Sequence, residues 1–311
     1  MDTLASVLIR TKTESSGYLM KRITTICLLI FLFESSAFLH AASTAKSVKI
    51  VSLNVWYGFS KAPEQKNKAL KYLTDLKPDI VSLQELNGYR SSDLERDAGQ
   101  WGHKYSLLLK EEGFPTGITS NAPIEDVKIQ LMGFHHGLLR CQTHGMYVYV
   151  IHLHPSNWEF RRQEIQLLLK DIETLPDNSK FILAGDFNTF SPRDKSVYDS
   201  SEDFIPFFER LDKQAQGNNL RDSEIDYWHI EKLEHAGLVD VIAKQRKMFQ
   251  GTFPTKLRED EDLGPERRLD YIFCSPSLID SCLSAKCLVN SKTSMFSDHY
   301  PVTATFQIDT P

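Results

Sequence analysis

Positive charge is in short supply: 36 lysines and arginines face 41 aspartates and glutamates over 311 residues, a formal net charge of −5. Such a chain has no overall positive field to hold it on nucleic acid or an anionic membrane, although a local basic groove or transient contact with phosphate is compatible with it. Long apolar runs are missing as well. The most apolar stretch, residues 23–33, ends at Glu34, short of the about 20 residues that cross a bilayer. Only 5 cysteines occur and none forms a C-x₂-C pair, which argues against a zinc ribbon or finger. There is no internal repeat and no low-complexity tract, so a solenoid or a disordered chain is excluded. What is there is ordinary: 41% hydrophobic and 25% charged residues, enough for one globular core with a short appendage.

The appendage is N-terminal. Met20-Lys21-Arg22, the apolar run 23–33 and the small residues Ala41-Ala42-Ser43 follow one another in the order of a secretory signal peptide. Residues 1–45 are therefore read as an N-terminal extension and signal peptide, with translation expected to begin at Met20, and residues 46–311 as a single domain. The mature protein is expected to be secreted or periplasmic, monomeric, and without a stable membrane span. Cys27 falls within the signal. In an oxidising compartment the remaining Cys141, Cys274, Cys282 and Cys287 point to disulfides or plain burial rather than to metal.

From residue 48 onward strand-like and helical periodicities alternate. Strands are predicted over 48–54, 79–83, 105–109, 117–120, 127–131, 137–140, 146–152, 180–184, 269–274, 284–289 and 301–308. Helices are predicted around Ala69, Leu70, Leu73 and Leu76, over 158–175, and over 225–236 ahead of Gly237. Residues 189–219 read as polar and irregular, an insertion or substrate-facing segment, and 258–268 as a charged loop. This mixture predicts an α/β sandwich, two sheets face to face with helices outside.

The polar residues fall in a pattern. Asn54, Glu85, His152, and Asp186 with Asn188 each follow an apolar strand-like run, while Asp298-His299 precede one. Strand tips on a rigid scaffold aim such groups into a common crevice. Oxygen donors such as Asn54, Glu85 and Asp298 suit a hard cation of the Mg²⁺ kind, which takes one or two carboxylates plus waters and phosphate. Singly, each has an ordinary reading: Asn54 or Glu85 as a cap or turn, Asp186 as an Asx turn, His152 as a core histidine, Asp270 as an ion pair with Arg267 or Arg268. Their joint occurrence is what those readings do not supply.

Six motifs in order resemble the endonuclease/exonuclease/phosphatase superfamily: Ser52-Leu53-Asn54-Val55-Trp56, Asp79-Ile80-Val81-Ser82-Leu83-Gln84-Glu85, Ile151-His152-Leu153, Gly185-Asp186-Phe187-Asn188, Arg268-Leu269-Asp270-Tyr271-Ile272 and Ser297-Asp298-His299-Tyr300-Pro301. The resemblance implies a four-layer α/β/β/α sandwich of two mixed β-sheets flanked by helices, DNase I-like. It also implies an enzyme that hydrolyses a phosphodiester with Mg²⁺, for which Mn²⁺ could substitute. Glu85 would be the principal metal ligand, completed by Asn54 and Asp298. Asp186 would orient or deprotonate the attacking water, and Asn188 would hold a phosphate oxygen. His299, oriented by Asp270, would contact the phosphate as base or as charge stabiliser, and His152 would donate to a non-bridging or leaving oxygen. Tyr105 and the loop 113–117 would form part of the site wall.

The substrate is less legible. Trp158, Phe160, Arg161 and Arg162 lie close to His152. They read either as rings and cations for a base, lipid or phosphate, or as a helix face with solvated arginines, and amphipathic spacing favours the latter. No long exposed apolar segment is expected to enter a membrane and no basic stripe to track a duplex. The first expectation is thus a nuclease-like phosphodiesterase with a phosphate-ester substrate, nucleic acid included. A phosphomonoesterase or a phospholipid (sphingomyelinase-like) phosphodiesterase is the alternative. A catalytically silent binding protein is the third reading, opposed by the completeness of the polar set.

Overall fold

The computed structural model describes residues 45–308. The segment read as a signal peptide, with Cys27, lies outside the described residues. The strands are β1 (Lys46–Asn54), β2 (Ile80–Gln84), β3 (Tyr105–Leu108), β4 (Gly117–Ser120), β5 (Glu125–Gln130), β6 (Leu138–Thr143), β7 (Met146–His152), β8 (Phe181–Asp186), β9 (Leu220–Arg221), β10 (Glu224–Ile225), β11 (Val239–Asp240), β12 (Asp270–Cys274), β13 (Cys282–Cys287) and β14 (Val302–Ile308). The helices are α1 (Pro63–Leu76), α2 (Ser91–Gln100), α3 (Trp158–Ile172), α4 (Lys195–Asp199), α5 (Phe204–Ala215), α6 (Trp228–His235) and α7 (Val241–Gln245).

Two six-stranded sheets result, one in the order β13-β14-β1-β2-β4-β3 and one in the order β11-β12-β8-β7-β6-β5, with β9 and β10 as a separate hairpin. Each sheet is mixed: β1 runs parallel to β2 and β7 parallel to β8, while the other pairs are antiparallel. The period-2 alternation of strand side chains sorts the apolar residues into layers. Ile50, Ile80, Val148, Val150, Ile182, Ala184, Ile272 and Ala304 meet between the sheets. Their odd-numbered neighbours face outward. Val51, Leu53, Val81 and Leu83 pack under α1 and α2 with Leu73 and Leu94, and Tyr149, Ile151, Leu183 and Phe273 under α3 and α6 with Ile165, Leu168 and Leu233. This is the expected four-layer α/β/β/α sandwich.

Local chemistry sets the helix ends. Pro63 opens α1 and Lys77, in the left-handed region before Pro78, closes it; the Asn157 side chain caps α3 by accepting the Phe160 N–H at 2.9 Å. Gly237, at φ 87°, follows α6.

Several expectations need correction. Residues 189–219 are not irregular: they hold α4 and α5, and Phe204, Phe207 and Phe208 bury one face of α5 against Phe190, Tyr198 and Phe253. The cysteines are unbridged: Cys141, Cys274 and Cys287 are buried and Cys282 is partly exposed, all free. The buried three lie on β6, β12 and β13, opposite Val148, Ile182 and Val302, where a buried thiol serves as a small apolar side chain. The arginines of α3 are not solvated. Arg161 is buried, with Nη1 donating to the His154 carbonyl at 2.9 Å, and Arg162 lies 4.9 Å from the rings of both Trp158 and Trp228 while bonding Asp226. No helix among the described residues is long and apolar enough to cross a membrane.

Candidate active site

The alternation that builds the inter-sheet core also builds the site. Following Ile50, Val150 and Ala184 along their strands by twos leads to Asn54, His152 and Asp186, and stepping back by two from Ile272 leads to Asp270. All four are buried and occupy the same inward-facing parity as the core. Register aligns them: Asn54 lies beside Gln84, His152 beside Asp186, and Asp186 beside Asp270. At this end of the sandwich the apolar layer therefore turns polar.

Residues just past the strands complete it through unusual backbone. Glu85 and Asn188 both take positive φ, 59° and 50°, a conformation that side chains other than glycine rarely adopt and that concentrates at functional sites. The turn points Glu85 back across β1. Its Oε1 accepts from Asn54 Nδ2 at 3.1 Å and its Oε2 from the Tyr57 N–H at 3.1 Å. Asn54 Nδ2 also donates to Asp186 Oδ2 at 3.1 Å, tying the two sheets together. Asn54 Oδ1 accepts the Trp56 N–H at 3.0 Å. Asn188 donates its backbone N–H to Asp186 Oδ1 at 2.9 Å and its Nδ2 to the Leu153 carbonyl at 3.0 Å.

Asp186 Oδ2 is the hub. His152 Nε2 and His299 Nε2 both stand 3.8 Å from it, and His299 Nδ1 is 2.8 Å from Asp270 Oδ2. Asp270 is free for this because Arg268 is engaged elsewhere, with Nη1 2.6 Å from Asp240 Oδ2 and Nε 3.0 Å from Asp194 Oδ2. The ion pair that the sequence allowed for Asp270 does not form. Asp298, on the other flank, accepts from Arg258 Nη1 at 3.1 Å.

The electrostatics follow from burial and crowding. Burial raises Asp186 to about 7, with His299 pulling the other way and Asp270 adding to the rise. Burial raises Glu85 and Asp298 as well, and Asp298 raises Glu85 further. His299 goes the opposite way: burial disfavours its charge, but the Asp270 and Asp186 carboxylates win and lift it to about 10. An imidazolium held by carboxylates stabilises the fold below its unfolded pKa of 6.5 and loses that contribution as pH rises through about 10. Replacing Asp270 by Asn removes the larger of the two carboxylate effects, so His299 in Asp270→Asn is expected to deprotonate at a distinctly lower pH. An NMR titration of its ring reads this directly, and an unchanged midpoint would refute the pairing.

The donor set fits a hard divalent cation. Glu85, Asp186 and Asp298 supply carboxylate oxygens, each carboxyl is pushed toward neutrality by burial, and Glu85 stays partly open to solvent. Asp186, Asp270 and His299 also bring one ligand atom each within 4.8 Å of one another. The Asp270–His299 hydrogen bond accounts for part of that closeness.

All eight residues singled out in the sequence thus gather at one end of the sandwich. Tyr105 does not: it pairs with Ser120, which also pairs with Ile80 at the far end of β2. The loop 113–117 does reach the site, where Phe114 packs 5.1 Å from Tyr57 and 5.4 Å from His136. Two neighbours escaped the sequence reading. Arg258, 4.8 Å over the Trp56 ring as well as bonded to Asp298, was only one charge in a charged loop. His136 stacks on His152, although adjacent histidines gave no signal beyond their adjacency.

Comparison with known proteins agrees with this geometry. The sequence model described as Endonuclease/Exonuclease/phosphatase family matches residues 51–299. No curated protein matches the sequence. An AP endonuclease from Archaeoglobus fulgidus has a similar structure, with a TM-score of 0.58 and 20% identity over 83% of this chain and 99% of that one. A 3'-5' exonuclease from Neisseria meningitidis gives 0.58 and 18% over 83% and 99%. D. rerio TDP2 complexed with single strand DNA product gives 0.58 and 18% over 84% and 99%. At such identities the likeness is one of fold.

Proposed function

This chain belongs to the endonuclease/exonuclease/phosphatase family, and from that premise we propose that it is an exported, Mg²⁺-dependent phosphodiesterase, nuclease-like in its substrate. One observation carries the reading: Asp186 Oδ2 sits 3.8 Å from the Nε2 atoms of both His152 and His299 and 3.1 Å from Asn54, with Glu85 on the same amide. Phosphoryl transfer asks a protein for positioning and for neutralisation of charge on the phosphate oxygens. When bound, Mg²⁺, or Mn²⁺ in its place, would be held by Glu85 and Asp298 with Asn54 and would neutralise phosphate charge. Asp186 orients the attacking water and takes its proton. His299, kept cationic by Asp270, stabilises the charge that builds on phosphate. His152 donates from Nε2 to a non-bridging or leaving oxygen, and Asn188 has one amide hydrogen left for a phosphate oxygen. The completeness of the set argues against a silent binding protein on this scaffold.

A nuclease-like substrate is supported by the kind of proteins that share the fold, among them an AP endonuclease and a protein captured with a DNA product. Export is supported by the order of charged, apolar and small residues before residue 45, and a monomer is the simplest state for a site built within one chain.

One observation favours the phospholipid reading instead. Val127 and Ile129 on β5, with Leu131 and Met132 just after it, are exposed, the last two at 52% and 88%. This strip leads straight into the loop that carries His135 and His136. It is the apolar surface that the sequence was not expected to show.

The test is a substrate panel: plasmid DNA, RNA, sphingomyelin vesicles and bis-p-nitrophenyl phosphate, each with Mg²⁺ and with EDTA. Hydrolysis of nucleic acid and of the small diester, lost in EDTA, is the expected result. Undiminished rates in EDTA, or no hydrolysis of any diester, would overturn the proposal. If vesicles are the preferred substrate, Leu131→Asp with Met132→Asp should slow vesicle hydrolysis and leave the small diester unaffected.

A further inference from the structure

The two site histidines are held in different ways. His299 has a carboxylate on Nδ1, the usual device that fixes an imidazole's plane and tautomer. His152 has none: its Nδ1 is buried with no hydrogen-bond partner. A histidine's outer torsion is broad and roughly two-fold, so backbone placement alone does not set the ring plane. What lies against the ring is His136, its centroid 3.9 Å away and its plane inclined by only 13°.

His136 is itself buried, and its Nε2 also lacks a partner. It is held by rings, with Phe114 at 5.4 Å and His135 at 4.4 Å. The segments next to the stacked pair, the loop before His136 and the chain just past β7, are fastened to one carboxylate. Glu164, wholly buried on α3, accepts the His135 N–H on Oε1 and the His154 N–H on Oε2, each at 2.9 Å. Burying a carboxylate is costly unless its hydrogen bonds are good, and here it is spent on holding the neighbours of His136 and His152 in register. Burial lowers the pKa of both rings, with His135 adding to the effect at His136 and His136 adding to it at His152.

We infer that His136 is a positioning residue for His152, fixing the plane of the site imidazole by ring stacking where His299 relies on a hydrogen-bonded carboxylate. The inference rests on the phosphodiesterase reading for its kinetic consequence but not for its structural one. An aromatic ring is what the role requires, and a titratable nitrogen is not.

Three variants test it with bis-p-nitrophenyl phosphate and Mg²⁺: His136→Ala, His136→Phe, and His136→Ala combined with His152→Ala. His136→Ala should lower kcat about 10- to 100-fold at nearly constant KM, since a misaimed group costs rate rather than binding. His136→Phe, which keeps the stack, should stay within about 3-fold of the parent. In the His152→Ala background, removing His136 should change kcat by less than about 2-fold, the non-additivity expected of residues acting as one unit. Equal losses in both backgrounds, or a poorly active His136→Phe, would overturn the inference. Proton–nitrogen correlation spectra of the histidine rings decide the structural part without substrate. His152 should show one tautomer in the parent and in His136→Phe, and an averaged pattern in His136→Ala. A sharp, unchanged pattern in His136→Ala refutes positioning even if the protein hydrolyses no diester, whereas an inactive parent with the expected spectra would refute only the phosphodiesterase reading.

Discussion

Asp186→Asn is expected to lower the rate of diester hydrolysis by about 10²- to 10⁴-fold while leaving the fold intact. No other side chain in the site touches as many partners: it accepts from Asn54 and from the Asn188 N–H and faces both histidines. The amide keeps the shape but cannot take a proton from water. Stability should change little at neutral pH, because one accepted hydrogen bond is lost, worth about 1 kcal/mol, and one buried charge is removed. The pH dependence should change more. A carboxyl whose folded pKa stands near 7, above its ordinary 3.8, makes the native state gain stability as pH falls from 7 toward 3.8. The variant lacks that gain, so in EDTA the parent's melting temperature should improve relative to the variant's on acidification. A fully active Asn variant would remove Asp186 from the chemistry, and a relative shift of opposite sign would show that it is not held up by burial.

Gly185→Ala should do to the fold what Asp186→Asn does to the chemistry. A Cβ at this position would lie 1.9 Å from the Ile151 carbonyl oxygen and 2.7 Å from its carbon. Those atoms belong to β7, which pairs with β8 at this very point, Ile151 beside Gly185. No rotamer can relieve the contact. The strands must separate, and they are the ones that carry His152 and Asp186. A loss of roughly 4 kcal/mol or more, the range reserved for named steric failures, would lower the melting temperature by roughly 10 °C in a domain of this size. Calorimetry checks this; a melt within a degree or two of the parent would mean that β7 and β8 do not approach as closely as described. The glycine of the Gly-Asp-Phe-Asn motif is therefore a packing requirement.

Much of this was legible because one rule, alternation in a strand, placed both the core and the site. The even-numbered residues of β1, β7, β8 and β12 run from valine, isoleucine and alanine into Asn54, His152, Asp186 and Asp270. Strand ends were therefore readable as site residues. The failures have physical causes too. In α2 only Leu94 and Ala98 are buried apolar residues, so its helical stripe is too thin to see. In α5 the stripe Phe204, Phe207, Phe208 and Leu211 does have helical spacing, but polar neighbours on both sides hid it. The exposed apolar strip along and just after β5 could not be foreseen, because the alternation there matches any half-buried strand. Arg258 and His136 come to the site through loops, and loop paths leave no period in a sequence.

In the first sheet β1 lies between β2 and β14, so the earliest described strand is clasped by the latest. The sheet that holds Asn54 and Glu85 cannot close until the ribosome has delivered β14, with Asp298 and His299 just ahead of it. A hydrolase so arranged is unarmed throughout synthesis: a chain clipped before residue 298 carries six of the eight residues of the constellation and lacks Asp298 and His299. Competence arrives in one step, with the closing of the sheet.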